Sequence, residues 1–201
     1  MVKIAVLVSG GGTNLQSLID SIERNEINGE IKLVVSNRLK AFGLERARNH
    51  NIKAECIKDQ NLLIQRLKEE EIDLIILAGY LAIIPKELID LYPNKIINIH
   101  PSLIPSFCGP GMYGIHVHEK AFERGVKVSG ATVHFVNEEV DGGPIILQRA
   151  IDISDCKSAE EIQEKILINI EHKLLPEAVK LYCQGRVKVN NGKVEIIWEE
   201  H

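Results

Sequence analysis

Residues 3–24 read KIAVLVSGGGTNLQSLIDSIER. The first part, Lys3–Ser9, is a short run rich in aliphatic and β-branched residues, which is typical of a β-strand. From Asn14 to Arg24 the apolar residues follow the i, i+3, i+4, i+7 spacing of an amphipathic helix; they are Leu15, Leu18, Ile19 and Ile22. Three consecutive glycines join the two elements. The stretch therefore predicts a strand, a glycine turn and a helix.

Strand and helix patterns continue to alternate through the first half of the chain. The predicted strand Asp73–Gly79 is almost continuously apolar, as expected for a parallel strand covered by helices on both faces. This order predicts an α/β fold with a doubly wound, mostly parallel, Rossmann-like sheet. The further predicted elements are strands at Ile31–Ser36, Lys53–Ile57, Asp73–Gly79 and Lys95–Ile99, and helices at Phe42–His50, Asn61–Glu71 and Pro85–Leu91.

The second half has a different pattern, which predicts an antiparallel C-terminal part. It begins with Pro101–Gly114, whose prolines and glycines indicate a long loop of the kind that is usually functional. Pro176 should kink or split the longest helical stretch, and Asn191-Gly192 indicates a hairpin turn. The predicted elements are helices at His118–Arg124 and Ser158–Gln184, strands at Lys127–Val136 and Ile145–Ile153, and a hairpin at Arg186–Trp198.

Length and composition exclude several classes of protein. A chain of 201 residues favours a single domain, here 1–201. Its 24 Lys and Arg against 28 Asp and Glu give a net charge of −4, which argues against binding of duplex nucleic acid or of an anionic membrane. Four scattered cysteines without a Cys-x-x-Cys motif predict reduced thiols and a cytoplasmic location. The oligomeric state, monomer or homodimer, stays open.

The glycine turn, Ser9–Asn14, is a candidate anion site. Glycines let backbone N–H groups approach an anion, and the helix N-terminus adds partial positive charge. Thr13 and Asn14 offer helix caps. Leu15 stands where a dinucleotide fingerprint needs glycine, and no Gly-Lys-Ser/Thr follows, so a monophosphate is predicted rather than NAD or a nucleoside triphosphate. The alternative is a turn that only packs the helix on the strand.

A second candidate site is Asn98-Ile-His100, at the carboxyl end of a predicted strand, where open α/β sheets bind ligands. Alternation places Asn98 and His100 on one face. An amide donor beside an imidazole suits a carbonyl that becomes an oxyanion. Further on, a glycine- and proline-bounded turn presents Asp141, although acidic turns of this kind are common.

The histidines also raise the question of a metal. His100, His116, His118 and His134 could together suggest zinc. No His-Glu-x-x-His or His-Cys-Cys pattern is present, so no metal is predicted.

Five motifs in order resemble those of the phosphoribosylglycinamide formyltransferase family; they are Ser9–Asn14, Leu77–Tyr80, Asn98–Leu103, Gly130–Phe135 and Asp141–Pro144. They cover most of the chain. The resemblance implies a folate-dependent formyltransferase of purine biosynthesis. Such an enzyme transfers a formyl group from 10-formyltetrahydrofolate to the amine of glycinamide ribonucleotide, without a metal.

The resemblance also implies roles for single residues. It implies a phosphate-binding half, 1–100, and a folate-binding and catalytic half, 101–201. Ala82 and Ile168 stand where many members of the family have arginine and a polar residue. The implied roles are catalysis for Asn98, His100 and Asp141; ribonucleotide binding for Gly11, Gly12, Thr13, Asn14 and Glu171; and folate binding for Leu81, Ala82, Ile83, Ile84, Asn98, Asn137, Val140 and Asp141.

Two alternatives remain beside formyl transfer. A formyltetrahydrofolate hydrolase has a similar catalytic half and uses water as the acceptor, although its phosphate loop would then be idle. A non-enzymatic nucleotide-binding module would have no reason to combine Asn98, His100 and Asp141. In the enzymatic interpretation, a carboxylate within hydrogen-bond reach should raise the pKa of His100 above its free value of about 6.5.

Overall fold

The structure is a computed structural model that describes residues 1–198; the last three residues of the predicted domain, 199–201, lie outside the described residues. By its contacts the chain divides into two compact units, residues 1–98 and the residues from 99 onward. This division falls two residues before the boundary between the predicted halves.

The first unit alternates strands and helices as predicted. Each neighbouring pair of its strands is parallel. The strands at its centre are buried because helices cover their apolar side chains. In chain order the elements are β1 (Val2–Val8), α1 (Thr13–Glu23), β2 (Gly29–Ser36), α2 (Phe42–Asn49), β3 (Lys53–Cys56), α3 (Gln60–Glu69), β4 (Leu74–Leu77), α4 (Lys86–Leu91) and β5 (Ile96–His100), whose last two residues belong to the second unit.

The second unit contains the predicted antiparallel part. Its two long strands pair antiparallel, and the C-terminal hairpin forms a separate two-stranded sheet. The elements are α5 (Ile115–Arg124), β6 (Val128–Phe135), β7 (Ile145–Asp152), α6 (Ala159–Ile166), a π-helical turn (Leu167–Glu171), α7 (His172–Cys183), β8 (Val187–Asn190) and β9 (Lys193–Ile196).

The strand order confirms the predicted fold class. Strands β1 to β7 form one sheet in the order β3-β2-β1-β4-β5-β6-β7. The chain starts in the middle of this sheet, builds outward to β3 and then returns to the other side of β1. That order is the doubly wound arrangement, and its carboxyl-end crevice is where such sheets bind ligands.

Several details differ from the sequence prediction; α5, for instance, begins at Ile115, three residues before the predicted start. The long C-terminal helix is interrupted at the π-helical turn, upstream of Pro176. Proline has no N–H and its ring crowds the carbonyl four residues earlier, and that residue is His172, where α7 begins. The prediction of a break was therefore right, but the break lies one turn earlier. Pro85 caps α4 and does not form its first turn.

Candidate active site

His100 ends strand β5 and is buried, with 4% of its surface exposed. Its Nε2 lies 2.9 Å from the carbonyl oxygen of Phe107. Because a carbonyl can only accept, Nε2 carries the proton and donates it to Phe107. The other ring nitrogen, Nδ1, faces Oδ2 of Asp141 at 3.6 Å. The structure thus brings together His100 and Asp141, and the Nδ1 of His100 is the position where an added proton would face the carboxylate.

The carbonyl of Phe107 is held by the loop that follows β5. Thr132 on β6 donates its hydroxyl to the carbonyl of Ser102 at 2.7 Å and accepts the N–H of Ile104 at 3.1 Å. Ser102 in turn donates to the carbonyl of Ser106 at 2.6 Å. Phe107 itself has a positive φ of 50°, which is unusual for a bulky residue. Its carbonyl accepts from Oγ of Ser102 at 3.3 Å as well as from Nε2 of His100, which links it to both the loop and β5.

Asp141 lies on a tight turn between β6 and β7 and also has a positive φ, 57°. The N–H of Gly142 donates to the carbonyl of Glu139 at 3.0 Å and closes the turn. A Cβ at Gly143 would lie 1.8 Å from the carbonyl oxygen of Phe135, so only glycine fits there. The sequence thus builds a turn that fixes Asp141, and its Oδ2 accepts the N–H of Gly109 at 2.9 Å.

Two further histidines belong to the cluster, and the sequence did not assign them a role. His134 on β6 directs Nε2 toward Oδ1 of Asp141 at 3.7 Å, while its Nδ1 donates to the carbonyl of Phe135 at 2.8 Å. His118 on α5 is 1% exposed, and its Nδ1 has no hydrogen-bond partner. The alternation of polar residues on β6 could have indicated His134, whereas nothing in the pattern of α5 singles out His118.

The pKa values of the cluster correct one expectation. Burial lowers the pKa of His100 below its usual value, and the charge of Asp141 and the bond to Phe107 offset this only in part. The predicted rise is therefore wrong, because 3.6 Å is longer than a hydrogen bond and the imidazole is desolvated. Burial raises the pKa of Asp141, but His134, His100 and the N–H of Gly109 together hold it below the usual range. The free site therefore holds an ionised carboxylate beside a neutral imidazole at neutral pH.

Asn98 lies two residues before His100 and therefore on the same face of β5. It is half-buried and paired in register with Leu77 of β4. The strand thus carries an amide and an imidazole at alternate positions, which share one face of the sheet.

The glycine turn lies between β1 and α1. Gly12 is the N-cap of α1, with φ of 71°, and no side chain caps the helix. Thr13 and Asn14 are inside the first turn, so the expectation that they cap the helix was wrong. A Cβ at Gly10 or Gly11 would meet no atom within 4 Å, which leaves open space beside these two residues. An uncapped helix N-terminus with adjoining free space can receive an anion.

The predicted folate segment after β4 is tied to the end of β1. The N–H of Leu81 donates to Oγ of Ser9 at 2.9 Å, and Ser9 donates to Oδ1 of Asn37 at 2.6 Å. Leu81 is 42% and Ile83 78% exposed, whereas Ile84 is buried. Ala82, between them, offers only backbone polar groups. The segment presents two exposed aliphatic side chains and backbone donors and acceptors.

The other predicted contact residues lie in the second unit. Asn137 accepts the N–H of Glu139 at 3.1 Å and starts the turn that carries Asp141, and Val140 in that turn is 46% exposed. Glu171 ends the π-helical turn and is 7% exposed. Single π-helical turns occur frequently at functional sites. Among residues 1–198 no cluster of three or more His, Cys, Asp or Glu is arranged to hold a metal.

Comparison with known proteins identifies the family. A family model described as "Formyl transferase" matches residues 2–179. The chloroplastic phosphoribosylglycinamide formyltransferase of Arabidopsis thaliana is 39% identical over 205 residues, which cover 97% of this chain and 70% of that protein. The chain belongs to the phosphoribosylglycinamide formyltransferase family. Its resemblance to that family, inferred from the five motifs, is confirmed.

Comparison with solved structures gives the same family. Glycinamide ribonucleotide transformylase 1 from Symbiobacterium toebii superposes with a TM-score of 0.92 at 39% identity, over 98% of this chain and 94% of that one. A formyltetrahydrofolate deformylase from Pseudomonas syringae shares the fold with a TM-score of 0.87, at 28% identity and over 65% of its chain. The fold is thus common to the family and to the hydrolase, and the roles of single residues stay predictions.

Proposed function

We propose that this protein transfers the formyl group of 10-formyltetrahydrofolate to the amine of glycinamide ribonucleotide, giving formylglycinamide ribonucleotide in purine biosynthesis. Family membership supports the reaction class. The observation that carries the proposal is the pair of His100 and Asp141 at the end of β5, 3.6 Å apart and buried, with Asn98 on the same strand. This combination has a use in acyl-type transfer and none in simple nucleotide binding.

In the proposed reaction the neutral amine of the ribonucleotide adds to the formyl carbon. The new C–N bond forms as the carbonyl electrons move to oxygen, which gives a tetrahedral oxyanion. Collapse breaks the bond to N10 of the folate, and the proton lost by the amine ends on N10, so that atoms and charge balance. Asn98 donates its amide to the oxyanion. The carboxylate of Asp141 faces Nδ1 of His100, favours its protonated form and assists the proton relay through water.

The geometry adds one requirement to this mechanism. The Nε2–H of His100 is bonded to Phe107, so His100 can donate that proton to the oxyanion only when the carbonyl of Phe107 shares it or withdraws. The developing negative charge then opposes the effect of burial and raises the pKa of His100 during the reaction. Catalytic hydrogen bonds often reach their working geometry only with substrate bound.

We propose the following contacts on the substrates. The N-terminus of α1 supports binding of the ribonucleotide phosphate by Gly11, Gly12, Thr13 and Asn14, because its N–H groups have no side-chain cap. The buried carboxylate of Glu171 suits the amine end of the ribonucleotide. Exposed aliphatic side chains support folate binding by the segment after β4 and by the turn before β7. The proposed folate contacts in these two places are Leu81, Ala82, Ile83, Ile84, Asn137 and Val140.

We also propose the organisation inferred from the sequence, a single domain with a phosphate-binding half and a folate-binding, catalytic half. Four free cysteines fit a cytoplasmic location, and a net charge of −4 fits a protein that binds no nucleic acid. We propose that the protein is a monomer or a homodimer. Of the helices in residues 1–198, none is both long and apolar enough to cross a membrane.

One assay tests the function against its alternative. The protein is incubated with 10-formyltetrahydrofolate, with and without glycinamide ribonucleotide, and release of tetrahydrofolate is followed. We expect product only when the ribonucleotide is present. Product without it would indicate the hydrolase, which the shared fold makes the second candidate, and no product under either condition would overturn both enzymatic interpretations.

A further inference from the structure

The glycine turn is fastened to helix α2 by its carbonyl oxygens. The N–H of Gly43 donates to the carbonyl of Gly10 at 3.0 Å. Nε of Arg46, one turn further along α2, donates to the carbonyl of Gly11 at 2.8 Å. Both carbonyl oxygens therefore point toward α2. The first of these bonds comes from the backbone, and the second depends on a side chain.

Peptide geometry turns these two bonds into a statement about the N–H groups. A planar trans peptide directs its C=O and its N–H to opposite sides, and both peptides, 10–11 and 11–12, are trans. With the oxygens of Gly10 and Gly11 held toward α2, the N–H groups of Gly11 and Gly12 point away from it. Successive N–H groups that point one way at a helix N-terminus form an anion-binding concavity.

Arg46 is itself held in place for this contact. Its Nη1 donates to Oε1 of Gln16 at 3.2 Å, and its guanidinium lies 5.0 Å from the ring centroid of Phe42. Gln16 is oriented in turn by donating to Asp20 at 2.8 Å. The guanidinium therefore has a defined position before any ligand binds, and little order has to be gained on binding.

Glycine is the residue type for which such a restraint matters most. Gly10 to Gly12 have few steric limits on φ and ψ, so the peptide between Gly11 and Gly12 could rotate and present its oxygen where its N–H is needed. A carbonyl oxygen facing a phosphate would repel it. A hydrogen bond from a charged donor, which is stronger than one from a neutral donor, opposes that rotation.

We propose that Arg46 is a positioning residue for the phosphate of the substrate: by holding the carbonyl of Gly11 it directs the N–H of Gly12 toward the anion. This proposal rests on the proposed function, because it takes the bound anion to be the 5′-phosphate of the ribonucleotide. Arg46 acts through the backbone of the turn. It therefore affects phosphate-bearing ligands and leaves the chemical step unchanged.

The test compares two substrates that differ only in the phosphate. Kinetics are measured with glycinamide ribonucleotide and with its dephosphorylated riboside, at saturating 10-formyltetrahydrofolate. Arg46→Met keeps an unbranched apolar side chain and removes the donors; Arg46→Lys restores one charged donor. Arg48→Met is the matched control, since Arg48 is exposed on the same helix. Thermal unfolding of each variant monitors the fold.

We expect Arg46→Met to lower kcat/KM for the ribonucleotide about tenfold or more, the scale of one charge-assisted hydrogen bond, and to change kcat/KM for the riboside less than about twofold. Arg46→Lys should recover part of the loss, and Arg48→Met should behave as wild type. An equal loss with both substrates would show a merely structural role and overturn the proposal, as would no loss with either.

A binding measurement separates failure of this proposal from failure of the proposed function. The ¹⁵N-labelled protein is titrated with inorganic phosphate, and the amide resonances of Gly11 and Gly12 are followed. Arg46→Met should raise the phosphate concentration needed for half saturation about tenfold, whether or not the wild type transfers formyl groups. Unchanged titration in Arg46→Met, or wild-type resonances that do not respond to phosphate, would overturn the proposal even in an active enzyme.

Discussion

The glycine turn and the histidine–aspartate cluster are built by opposite means. In the turn the candidate ligand-binding groups are backbone N–H groups; the space beside Gly10 and Gly11 is open, and the missing side chain of Gly12 allows close packing on Gly43 of α2. In the cluster the candidate catalytic groups are side chains, and the backbone has positive φ at Phe107 and Asp141, which flank them. The first depends on geometry and the second on charge.

This difference determines which substitutions each region tolerates. A backbone site depends on how each peptide is oriented, so added volume harms it only where the volume meets a neighbour or the ligand. A buried charged site depends on the balance between desolvation and partner charges, so an isosteric change of charge harms it without any change in shape. Substitutions in the two regions should therefore differ in their effects.

Asp141→Asn should have the largest effect. The change keeps the size of the side chain and removes the charge that faces His100 at 3.6 Å and His134 at 3.7 Å. We expect kcat to fall at least about 100-fold, the scale of one acid–base or oxyanion group, with the KM for the ribonucleotide nearly unchanged. The charge of Asp141 raises the pKa of His100, so its loss should lower that pKa further and move the pH profile of residual activity toward acid.

Glu123→Gln provides the control, because it removes an exposed carboxylate from the same unit. His100→Asn should be about as damaging as Asp141→Asn, and the double variant should be much less than multiplicatively worse if the pair acts together. Near-normal turnover in Asp141→Asn, or full multiplicativity, would show that the charge of the cluster is not what the reaction uses.

His118 should make the stability of the protein sensitive to acid. Burial, with a smaller contribution from His100, lowers the pKa of His118 to about 4, against about 6.5 in the unfolded chain. Between these values the unfolded state binds more protons, so the free energy of unfolding falls as the pH is lowered from about 6.5 to about 4. We expect a loss of roughly 2 to 3 kcal/mol over that window from this group.

Chemical denaturation of wild type and His118→Gln at pH 7, 5.5 and 4 measures this effect as a difference. The variant should be less stable at pH 7 or equal to wild type, and should lose less stability toward pH 4. His116→Gln, which changes an exposed histidine two residues earlier, should follow wild type. Parallel pH dependence in wild type and His118→Gln would mean that the buried imidazole does not stay neutral.

The sequence predicted the conformation of the glycine turn better than it predicted the protonation of the histidine–aspartate cluster. Apolar periodicity placed the strands and helices, and the doubly wound, mostly parallel sheet followed from their alternation, whereas the strand order came only from the structure. Asn98, His100 and Asp141 could be proposed as catalytic because their residue types and spacing suggested a reaction and a family. The pKa of His100 was mispredicted because its burial and its 3.6 Å separation from Asp141 depend on the tertiary structure. No sequence motif marks the carbonyl of Phe107 or the side chain of Arg46.

Two valine substitutions in the glycine turn should have different effects. Gly12 has φ of 71°, and a Cβ there would lie 2.7 Å from Cα of Gly43 on α2, whereas a Cβ at Gly11 would meet no atom within 4 Å. Gly12→Val should therefore lower the free energy of unfolding by at least about 1 to 2 kcal/mol, since a left-handed β-branched residue is strained. Gly11→Val should leave the melting temperature unchanged and raise the KM for the ribonucleotide about tenfold, with the KM for the folate unaffected.

Steady-state kinetics and thermal unfolding of both variants measure the two effects separately. Gly12→Val alone cannot establish the phosphate site, because strain and contact with Gly43 disturb the fold as well as the ligand. Gly11→Val can, because its side chain enters only the open space beside the turn, where the phosphate is proposed to bind. Equal increases in the KM for both substrates, or a destabilised Gly11→Val, would mean that the open side of the turn is not where the phosphate binds.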